Sequence, residues 1–173
     1  RRQRQMCIRD SLYIGAFVMF GDVELTVHCA AELLKRAPEY DYLIAPEAKA
    51  IPLLYEMARQ SGAEKYFLAR KGPKAYMSGV FEVHVKSITT MDVQRLVIDT
   101  ADAELIKGKR ILIVDDVIST GESLRAMEEL VTRAGGSIVG RMAVLAEGAA
   151  QKRDDIIVLG DLPLFNPDGT VKA

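Results

Sequence analysis

The sequence predicts a single α/β domain, built on a mostly parallel, twisted sheet with helices on both faces. Its 173 residues, of which 49% are apolar and 27% charged, suffice for one domain with a sizeable core. From residue 12 onward, apolar runs alternate with helical patterns, which is typical of parallel α/β folds. The most strongly apolar run, residues 111–114, is followed by two acidic residues, at the end of a strand where open α/β sheets bind ligands.

The first half of the chain is predicted to hold three strands and two helices. Apolar residues from Val27 to Leu34 keep the i, i+3, i+4, i+7 spacing of one helical face. A similar pattern begins at Ile51 and stops at Gly62, a residue type that commonly ends helices. The predicted ranges are strands at 12–20, 42–45 and 65–69, and helices at 22–36 and from 51 to about 62.

The second half begins with a segment of different character, residues 71–93. Gly72, Pro73 and Gly79 interrupt regular structure there. Apolar and polar residues then alternate as in a half-buried strand, and residues 94–98 could pair with it as a hairpin. Such an excursion is either a mobile active-site lid or a plain hairpin at the sheet edge, and the sequence leaves both open.

The rest of the chain returns to the alternating pattern. Residues 111–114 form a buried strand, and a helix follows until Gly135 and Gly136 end it. The predicted ranges are a helix at 124–134, strands at 138–146 and 156–159, and an irregular apolar tail at 162–165.

The first eleven residues are expected to lie outside the native domain, which would then occupy residues 12–173. Residues 5–11 correspond to one reading frame of the transposase mosaic-end sequence used in sequencing adapters. The alternative is a natural basic leader. If the adapter interpretation holds, deletion of residues 1–11 leaves stability unchanged.

Composition and charge exclude several classes of protein. No apolar run approaches the length of a membrane span, so no membrane association is expected. The net charge of −1 gives no basic footprint, so nucleic acid is not expected as a partner. Cys7 and Cys29 lack metal-ligand spacing and argue for a reducing, cytoplasmic location.

Residues 111–124 carry the strongest functional signal. Asp115 and Asp116 follow the buried strand, and a short run through Gly121 then enters a helical pattern. Glycine permits close approach of a ligand, and free N–H groups at a helix start favour an anion. The acids can accept hydrogen bonds from sugar hydroxyls or help to hold a metal ion. An ordinary capped strand and a receiver-type acidic pocket are the competing interpretations.

This stretch resembles the phosphoribosyl pyrophosphate (PRPP) signature of the type I phosphoribosyltransferases. The resemblance implies that the acids hold the ribose hydroxyls and that the loop holds the 5′-phosphate. It also implies the family fold with a small hood from the N-terminal segment and the tail, and Mg²⁺ carried by PRPP without direct protein ligands. The implied catalytic residues are Asp115, Asp116 and Lys71, and the implied PRPP-binding residues are Asp115, Asp116, Val117, Ile118, Ser119, Thr120, Gly121, Glu122 and Ser123.

Two further segments resemble pyrophosphate-binding parts of purine enzymes in this family. One lies at a strand-to-helix junction, where Lys49 stands at a position that is commonly arginine and a cis peptide is expected between Ala48 and Lys49. The other places cations after the strand at 65–69. An amphipathic helix start and a basic surface turn are the alternatives. The implied pyrophosphate-binding residues are Glu47, Ala48, Lys49, Ala50, Arg70, Lys71 and Lys74.

The base-binding residues implied by the resemblance are Val18, Met19 and Phe20, in a segment similar to one near the base in adenine enzymes. Phe20 could stack on a purine, with Phe165 as a weaker second choice. Residues 86–90 lack the glutamate usual in adenine enzymes and look more like xanthine enzymes. Glu82 and His84 lie nearby, but His84 is expected to be a polar strand residue.

The function implied by the resemblance is transfer of the phosphoribosyl group of PRPP to a purine base, with adenine favoured. The products would be a nucleoside monophosphate and pyrophosphate, in purine salvage. The expected partners are PRPP, the base and a second copy of the chain. A PRPP-sensing regulator without catalysis, and a xanthine- or hypoxanthine-specific transferase, remain as alternatives.

Overall fold

The computed structural model describes residues 4–8, 12–86, 93–166 and 168–171. The elements, in chain order, are β1 Arg4–Ile8, β2 Leu12–Ala16, α1 Val23–Leu34, β3 Tyr42–Pro46, α2 Ile51–Ser61, β4 Phe67–Ala69, β5 Val80–Lys86, β6 Val93–Asp99, α3 Thr100–Ile106, β7 Arg110–Ile118, α4 Glu122–Arg133, β8 Ser137–Glu147, a 3₁₀-helix at Gly148–Lys152, β9 Ile157–Leu162 and β10 Leu164–Phe165.

The central sheet confirms the predicted fold class. Its five strands lie in the order β4-β3-β7-β8-β9, and each neighbouring pair is parallel. The apolar run of β7 divides between the two faces, because successive side chains of a strand point to opposite sides. Ile111 and Ile113 pack in the core that includes α4, whereas Leu112 and Val114 pack in the core that includes α1 and α2.

Local chemistry explains where the helices begin and end. Asp22 caps α1, since its side chain accepts a hydrogen bond from the amide of Leu25 at 3.2 Å. Gly62 ends α2 in a left-handed conformation with φ of 72°. The predicted helices at 22–36, 51–62 and 124–134 are therefore confirmed, with boundaries shifted by one or two residues at most ends.

Strand β7 is longer than predicted. It continues through both acids to Ile118, and Asp115 is paired with Ala143 of β8. The prediction that the acids follow the strand is therefore wrong. The apolar pattern ends at Val114 because Asp115 and Asp116, the next two residues, line a cavity, while the backbone pairing continues to Ile118.

The other differences between the predicted and the observed elements each involve only a few residues. The first predicted strand ends at Ala16 and not at residue 20, and the tail forms β10 where irregular structure was predicted. Neither α3 nor the 3₁₀-helix was predicted. Residues 100–106 span only about two turns, too few for a clear apolar period.

Two small sheets accompany the central one. The predicted hairpin is present as the antiparallel pair β5–β6, and an antiparallel bridge between Arg70 and Val97 joins it to the end of β4. The second small sheet has the order β1-β2-β10, so strand β1, within residues 1–11, pairs with β2. Residues 87–90, part of the stretch compared with xanthine enzymes, lie outside the described residues. No helix in the described part of the chain is long and apolar enough to cross a membrane.

Candidate functional site

The acidic pair lies in β7, the central strand of the five-stranded sheet. The amide of Asp116 donates a 2.8 Å hydrogen bond to Oδ1 of Asp115. Asp116 is only 5% exposed, and its Oδ2 is buried without a hydrogen-bond partner among the described residues. Because buried polar atoms are almost always paired, this oxygen is one that a bound ligand or solvent is expected to satisfy.

Burial also changes the acidity of the pair. Desolvation, and then repulsion from the Asp116 carboxylate, raise the pKa of Asp115 to about 8. The amide of Asp116 and the charge of Lys49 act in the opposite direction. Asp115 therefore holds a proton at neutral pH in the ligand-free protein, a perturbation typical of functional sites.

The loop after β7 forms a small cup. Gly121 adopts φ of +79° at the start of α4, a conformation that glycine allows without strain. It supplies no capping side chain, and the amide of Glu122 donates to Thr120 Oγ1 at 3.4 Å. Amide groups at the start of a helix favour a bound anion. The cup encloses about 50 Å³ and is lined by Asp115 and residues 117–124.

A larger cavity of about 270 Å³ joins the acids to residues from elsewhere in the chain. The ends of β3 and β7 meet here because the strands are parallel neighbours. Its lining residues are Pro46, Glu47, Ala48, Lys49, Lys71, Gln94, Leu96, Asp115, Asp116, Val117 and Ser123. The structure thus places the predicted pyrophosphate loop and Lys71 against the acidic pair.

The junction between β3 and α2 contains a cis peptide bond between Glu47 and Ala48. The sequence analysis placed it one bond later, between Ala48 and Lys49, and that prediction is wrong. The resemblance located the turn correctly but could not identify the individual bond, which depends on how the chain turns between the two elements.

Glu47 is the partner of several cations predicted to bind pyrophosphate. Its Oε2 accepts hydrogen bonds from Arg70 Nε at 2.8 Å and from the Lys71 amide at 3.2 Å, and Lys74 Nζ lies 3.9 Å from Oε1. Arg70 Nη1 also donates to Tyr76 Oη at 3.2 Å. Desolvation raises the pKa of Glu47, but the hydrogen bonds from Lys71 and Arg70 outweigh it and hold that pKa below its usual value.

The three predicted base-binding residues have different environments. Val18 and Phe20 are 54% and 52% exposed, whereas Met19 is buried in the core under α1 and α2. Met19 lines a separate cavity of about 230 Å³ between these helices, distinct from the one at the acids. The structure leaves Val18 and Phe20 accessible to a ligand but does not bring this segment into the cavity at Asp115.

Other aromatic and polar residues considered for the base are engaged elsewhere. Phe165 is half-buried and pairs with Tyr13 in the small sheet. Glu82 accepts two hydrogen bonds from Arg95, and His84 lies 3.6 Å from it on the same hairpin.

The sequence analysis missed some residues near the site. Gln94 and Leu96 of β6 line the larger cavity, a position that follows from the bridge between β4 and β6. Glu147 ends β8, where it pairs with Leu162 of β9, and burial raises the pKa of its carboxyl while Lys49 lowers it. Its place at a strand end was the signal that could have identified it.

Comparison with known proteins identifies the family of this chain. The family model described as phosphoribosyl transferase domain matches residues 26–162. An adenine phosphoribosyltransferase from Petrotoga mobilis is 27% identical over 151 residues, 85% of this chain and 72% of the relative. An orotate phosphoribosyltransferase from Caldanaerobacter subterraneus is 31% identical over 100 residues, 58% of this chain and 41% of the relative.

Solved structures show the same fold. The crystal structure of adenine phosphoribosyltransferase from Thermoanaerobacter pseudethanolicus superposes with a TM-score of 0.73 at 20% identity, covering 92% of this chain and 95% of that one. At 20% identity, this structural similarity establishes the fold, with its parallel sheet and flanking helices.

Proposed function

Because the chain belongs to the phosphoribosyl transferase family, we propose that it transfers the phosphoribosyl group of PRPP to a purine base, with adenine favoured. The products are a nucleoside monophosphate and pyrophosphate, and the reaction serves purine salvage. The observation that carries the proposal is the single cavity that joins Asp115 and Asp116 to the loop at Glu47 and to Lys71. A sugar flanked by a phosphate and a diphosphate needs such a composite site.

The sugar end of PRPP is held by residues of β7 and α4. The carboxylates of Asp115 and Asp116 accept hydrogen bonds from the ribose hydroxyls, and the unpartnered Oδ2 of Asp116 supports this role. The 5′-phosphate occupies the cup formed by residues 117–123, where the amide groups at the start of α4 favour a negative charge.

The diphosphate end is held by cations from two other elements. Lys49 and Lys71 line the cavity, and Arg70 and Lys74 are held next to it by Glu47. As the bond at the anomeric carbon breaks, positive charge develops on the sugar and pyrophosphate leaves as a polyanion. These cations stabilise the leaving charge. A charged Glu47 would repel pyrophosphate. We therefore assign to Glu47 the role of orienting Arg70 and Lys71.

The residues of the site also suit Mg²⁺ bound together with PRPP. Carboxylate oxygens such as those of Asp115 and Asp116 are ligands of the kind that Mg²⁺ prefers. No group of three or more acidic, histidine or cysteine side chains gathers around a metal position in the described part of the chain. The ion would therefore take most of its ligands from the diphosphate and water. When bound, it neutralises charge on the leaving group.

The base lies on the far side of the sugar from the departing pyrophosphate. Phe20 and Val18 are exposed and can cover a flat, apolar ring, which supports their assignment to the base. Adenine is favoured because several relatives are adenine phosphoribosyltransferases.

The proposal includes a cytoplasmic location and a homodimer. The buried, unpaired thiol of Cys29 suits a reducing compartment. Val23 and Tyr55, on α1 and α2, are 74% and 54% exposed, and such large apolar side chains are suited to contact with a second copy. Light scattering after size-exclusion chromatography tests the dimer.

A screen of bases with PRPP and Mg²⁺ tests the proposed reaction. We expect release of pyrophosphate with adenine at a kcat/KM at least tenfold above that with hypoxanthine, guanine, xanthine or orotate. The Asp115→Asn, Asp116→Asn double variant, expected to have at least tenfold lower kcat/KM for PRPP, serves as the control. Faster turnover of another base would overturn the assignment to adenine, and tight binding of PRPP without turnover of any base would favour the sensing regulator.

A further inference from the structure

Arg153 lies outside the PRPP signature but reaches its central glycine. It follows the 3₁₀-helix, where its amide donates to the carbonyl of Ala150 at 3.1 Å. Its Nη1 lies 3.0 Å from the position that a Cβ atom on Gly121 would occupy. The guanidinium of Arg153, 32 residues after Gly121 in the sequence, therefore lies against the start of α4.

The orientation of this guanidinium is fixed by a two-point ion pair. Its Nε donates to Asp155 Oδ1 at 2.8 Å and its Nη2 to Asp155 Oδ2 at 2.6 Å. Both bonds use the edge formed by Nε and Nη2, so Nη1 is the nitrogen that faces Gly121. The pairing lowers the pKa of Asp155 and raises that of Arg153, which keeps both groups charged.

A second ion pair ties this arrangement to α4. Arg141 of β8 donates from Nε to Glu128 of α4, and the same nitrogen lies 3.9 Å from Asp155 Oδ2. Glu128 and Gly121 belong to the same helix segment. Asp155 is thus positioned by the helix whose first turn forms the proposed phosphate site.

We propose that Arg153 is a phosphate-binding residue that supplies the positive charge of the 5′-phosphate site. The inference rests on the proposed function, because it assigns a further contact to the same ligand. Residues 117–123 contain no lysine or arginine and include the acidic Glu122, so the loop itself offers only amides and hydroxyls to a dianion. Arginine suits phosphate, since its planar N–H groups form charge-assisted hydrogen bonds.

The competing role for Arg153 is purely structural, as an ion pair that fixes the segment after the 3₁₀-helix. The two roles predict different ligand selectivity. A structural role affects every ligand of the site to a similar degree. A phosphate-binding role affects ligands that carry the 5′-phosphate and leaves pyrophosphate, which the residues near Glu47 bind, almost unchanged.

Calorimetric titration with ribose 5-phosphate and, separately, with pyrophosphate and Mg²⁺ distinguishes these roles. We expect Arg153→Ala to weaken ribose 5-phosphate binding about tenfold and to change pyrophosphate binding less than twofold. Arg153→Lys should recover part of the loss because it restores the charge without the planar fork. Asp155→Asn should weaken ribose 5-phosphate binding less than Arg153→Ala does.

The matched control is Arg133→Ala, which removes the same charge from the exposed last turn of α4. Eleven residues separate it from Glu122, about 17 Å along the helix. It should bind both ligands as the parent does. Circular dichroism checks folding, and the Arg153→Lys variant carries the test if Arg153→Ala does not fold.

Ribose 5-phosphate binding by Arg153→Ala within twofold of the parent, or equal losses for both ligands, would overturn the inference while leaving the proposed function intact. Arg153→Lys with full parental affinity would exclude a role for the planar fork and overturn the geometric argument. A parent protein that binds neither ribose 5-phosphate nor PRPP would instead overturn the proposed function, and this inference with it.

Discussion

The amide of Asp116 donates to the carboxylate of Asp115, so that the backbone of one acid holds the side chain of the other. The two side chains of consecutive strand residues normally point to opposite faces. Asp116 is buried with one oxygen unpartnered, and Asp115 lines both the phosphate cup and the larger cavity. The carboxyl of Asp115 is therefore exposed to a bound ligand and to the charge of Asp116 at the same time.

Replacement of both acids by asparagine tests their role towards the sugar. Asparagine is nearly isosteric, so the fold should persist, but the charge-assisted hydrogen bonds that the ionised acids make to the ribose hydroxyls in the complex are weakened. Such a bond contributes about 1.5–3 kcal/mol. We expect more than a tenfold loss in kcat/KM for PRPP, with a smaller change in KM for the base, in steady-state kinetics at saturating Mg²⁺. Ser123→Ala should lose less, because backbone amides supply much of the phosphate site.

If the double variant binds PRPP as tightly as the parent in calorimetry, the acids are not ribose ligands. Circular dichroism on the same samples separates this result from a loss of fold.

The raised pKa of Asp115 predicts a pH dependence of stability in the ligand-free protein. Between about pH 4 and pH 8, the folded protein holds a proton on Asp115 that the unfolded chain has released. The stabilisation contributed by the protonated carboxyl of Asp115 is therefore complete below about pH 4 and is lost as the pH rises through about 8. We expect the free energy of unfolding, measured in urea, to fall less steeply over this interval in Asp115→Asn than in the parent.

Asp161→Asn, which changes an exposed acid on β9, should keep the parental slope. Identical slopes in the parent and in Asp115→Asn would show that Asp115 titrates near its ordinary value.

The contact between Glu47 and Arg70 predicts how pyrophosphate binding depends on both residues. Arg70→Ala removes a cation at the cavity edge and should weaken pyrophosphate binding about tenfold. Glu47→Ala should weaken it by a smaller factor, because Arg70 and the Lys71 amide lose their common acceptor. Calorimetry with pyrophosphate and Mg²⁺ measures both effects.

Arg95→Ala is the matched control, since Arg95 pairs with Glu82 on the hairpin and should leave pyrophosphate binding unchanged. Tighter binding by Glu47→Ala than by the parent would mean that Glu47 competes with the anion and does not orient its cations.

Glu56 is a structural acid whose removal should destabilise the contact between α1 and α2. It accepts hydrogen bonds from Arg59 and Gln60, and Gln60 also donates to the carbonyl of Val27 on α1. The hydrogen bond from Arg59, with that from Gln60, lowers the pKa of Glu56 to about 2. We expect Glu56→Gln to lose about 1–3 kcal/mol at pH 7, a fall in Tm of several degrees.

The stabilisation contributed by the ionised carboxylate of Glu56 is present above about pH 4.5 and is lost as the pH falls towards 2. The difference in Tm between Glu56→Gln and the parent should therefore shrink as the pH falls over this range. Glu32→Gln, which removes a more exposed i,i+3 pair with Lys35, should change Tm little. An equal effect of the two substitutions would contradict a special role for Glu56.

Deletion of residues 1–11 tests whether this segment belongs to the fold. Among the strands that the structure describes, β1 lies at the edge of its sheet and pairs with β2, which keeps β10 as its other neighbour. We expect Tm of the shortened chain, measured by differential scanning calorimetry, to stay within about 2 °C of the parent, because an edge hairpin strand adds little stability. A clear fall in Tm would show that the segment packs as part of the domain.

The sequence predicted elements more reliably where a long periodic pattern was present. Helices α1, α2 and α4 and the strands of the central sheet followed from apolar spacing and glycine stops. Helix α3 was missed although Asp99 accepts from the amide of Ala101, a capping signal before a very short helix. The continuation of β7 through Asp115 was missed because polar residues in a strand end the apolar pattern without ending its hydrogen bonds.

What the sequence by itself determined is local. The loop at residues 115–123 is contiguous, so its order of acids, small residues and glycine already implied a site for a sugar phosphate. Only the tertiary structure decided which residues distant in sequence contact one another around this loop. Glu47 contacts Arg70, and Arg153 lies against Gly121 of the loop. These pairs are 23 and 32 residues apart, and their contact depends on strand order and on the turns between elements. A sequence pattern encodes periodicity along the chain, whereas the meeting of two strand ends is fixed by packing of the whole sheet.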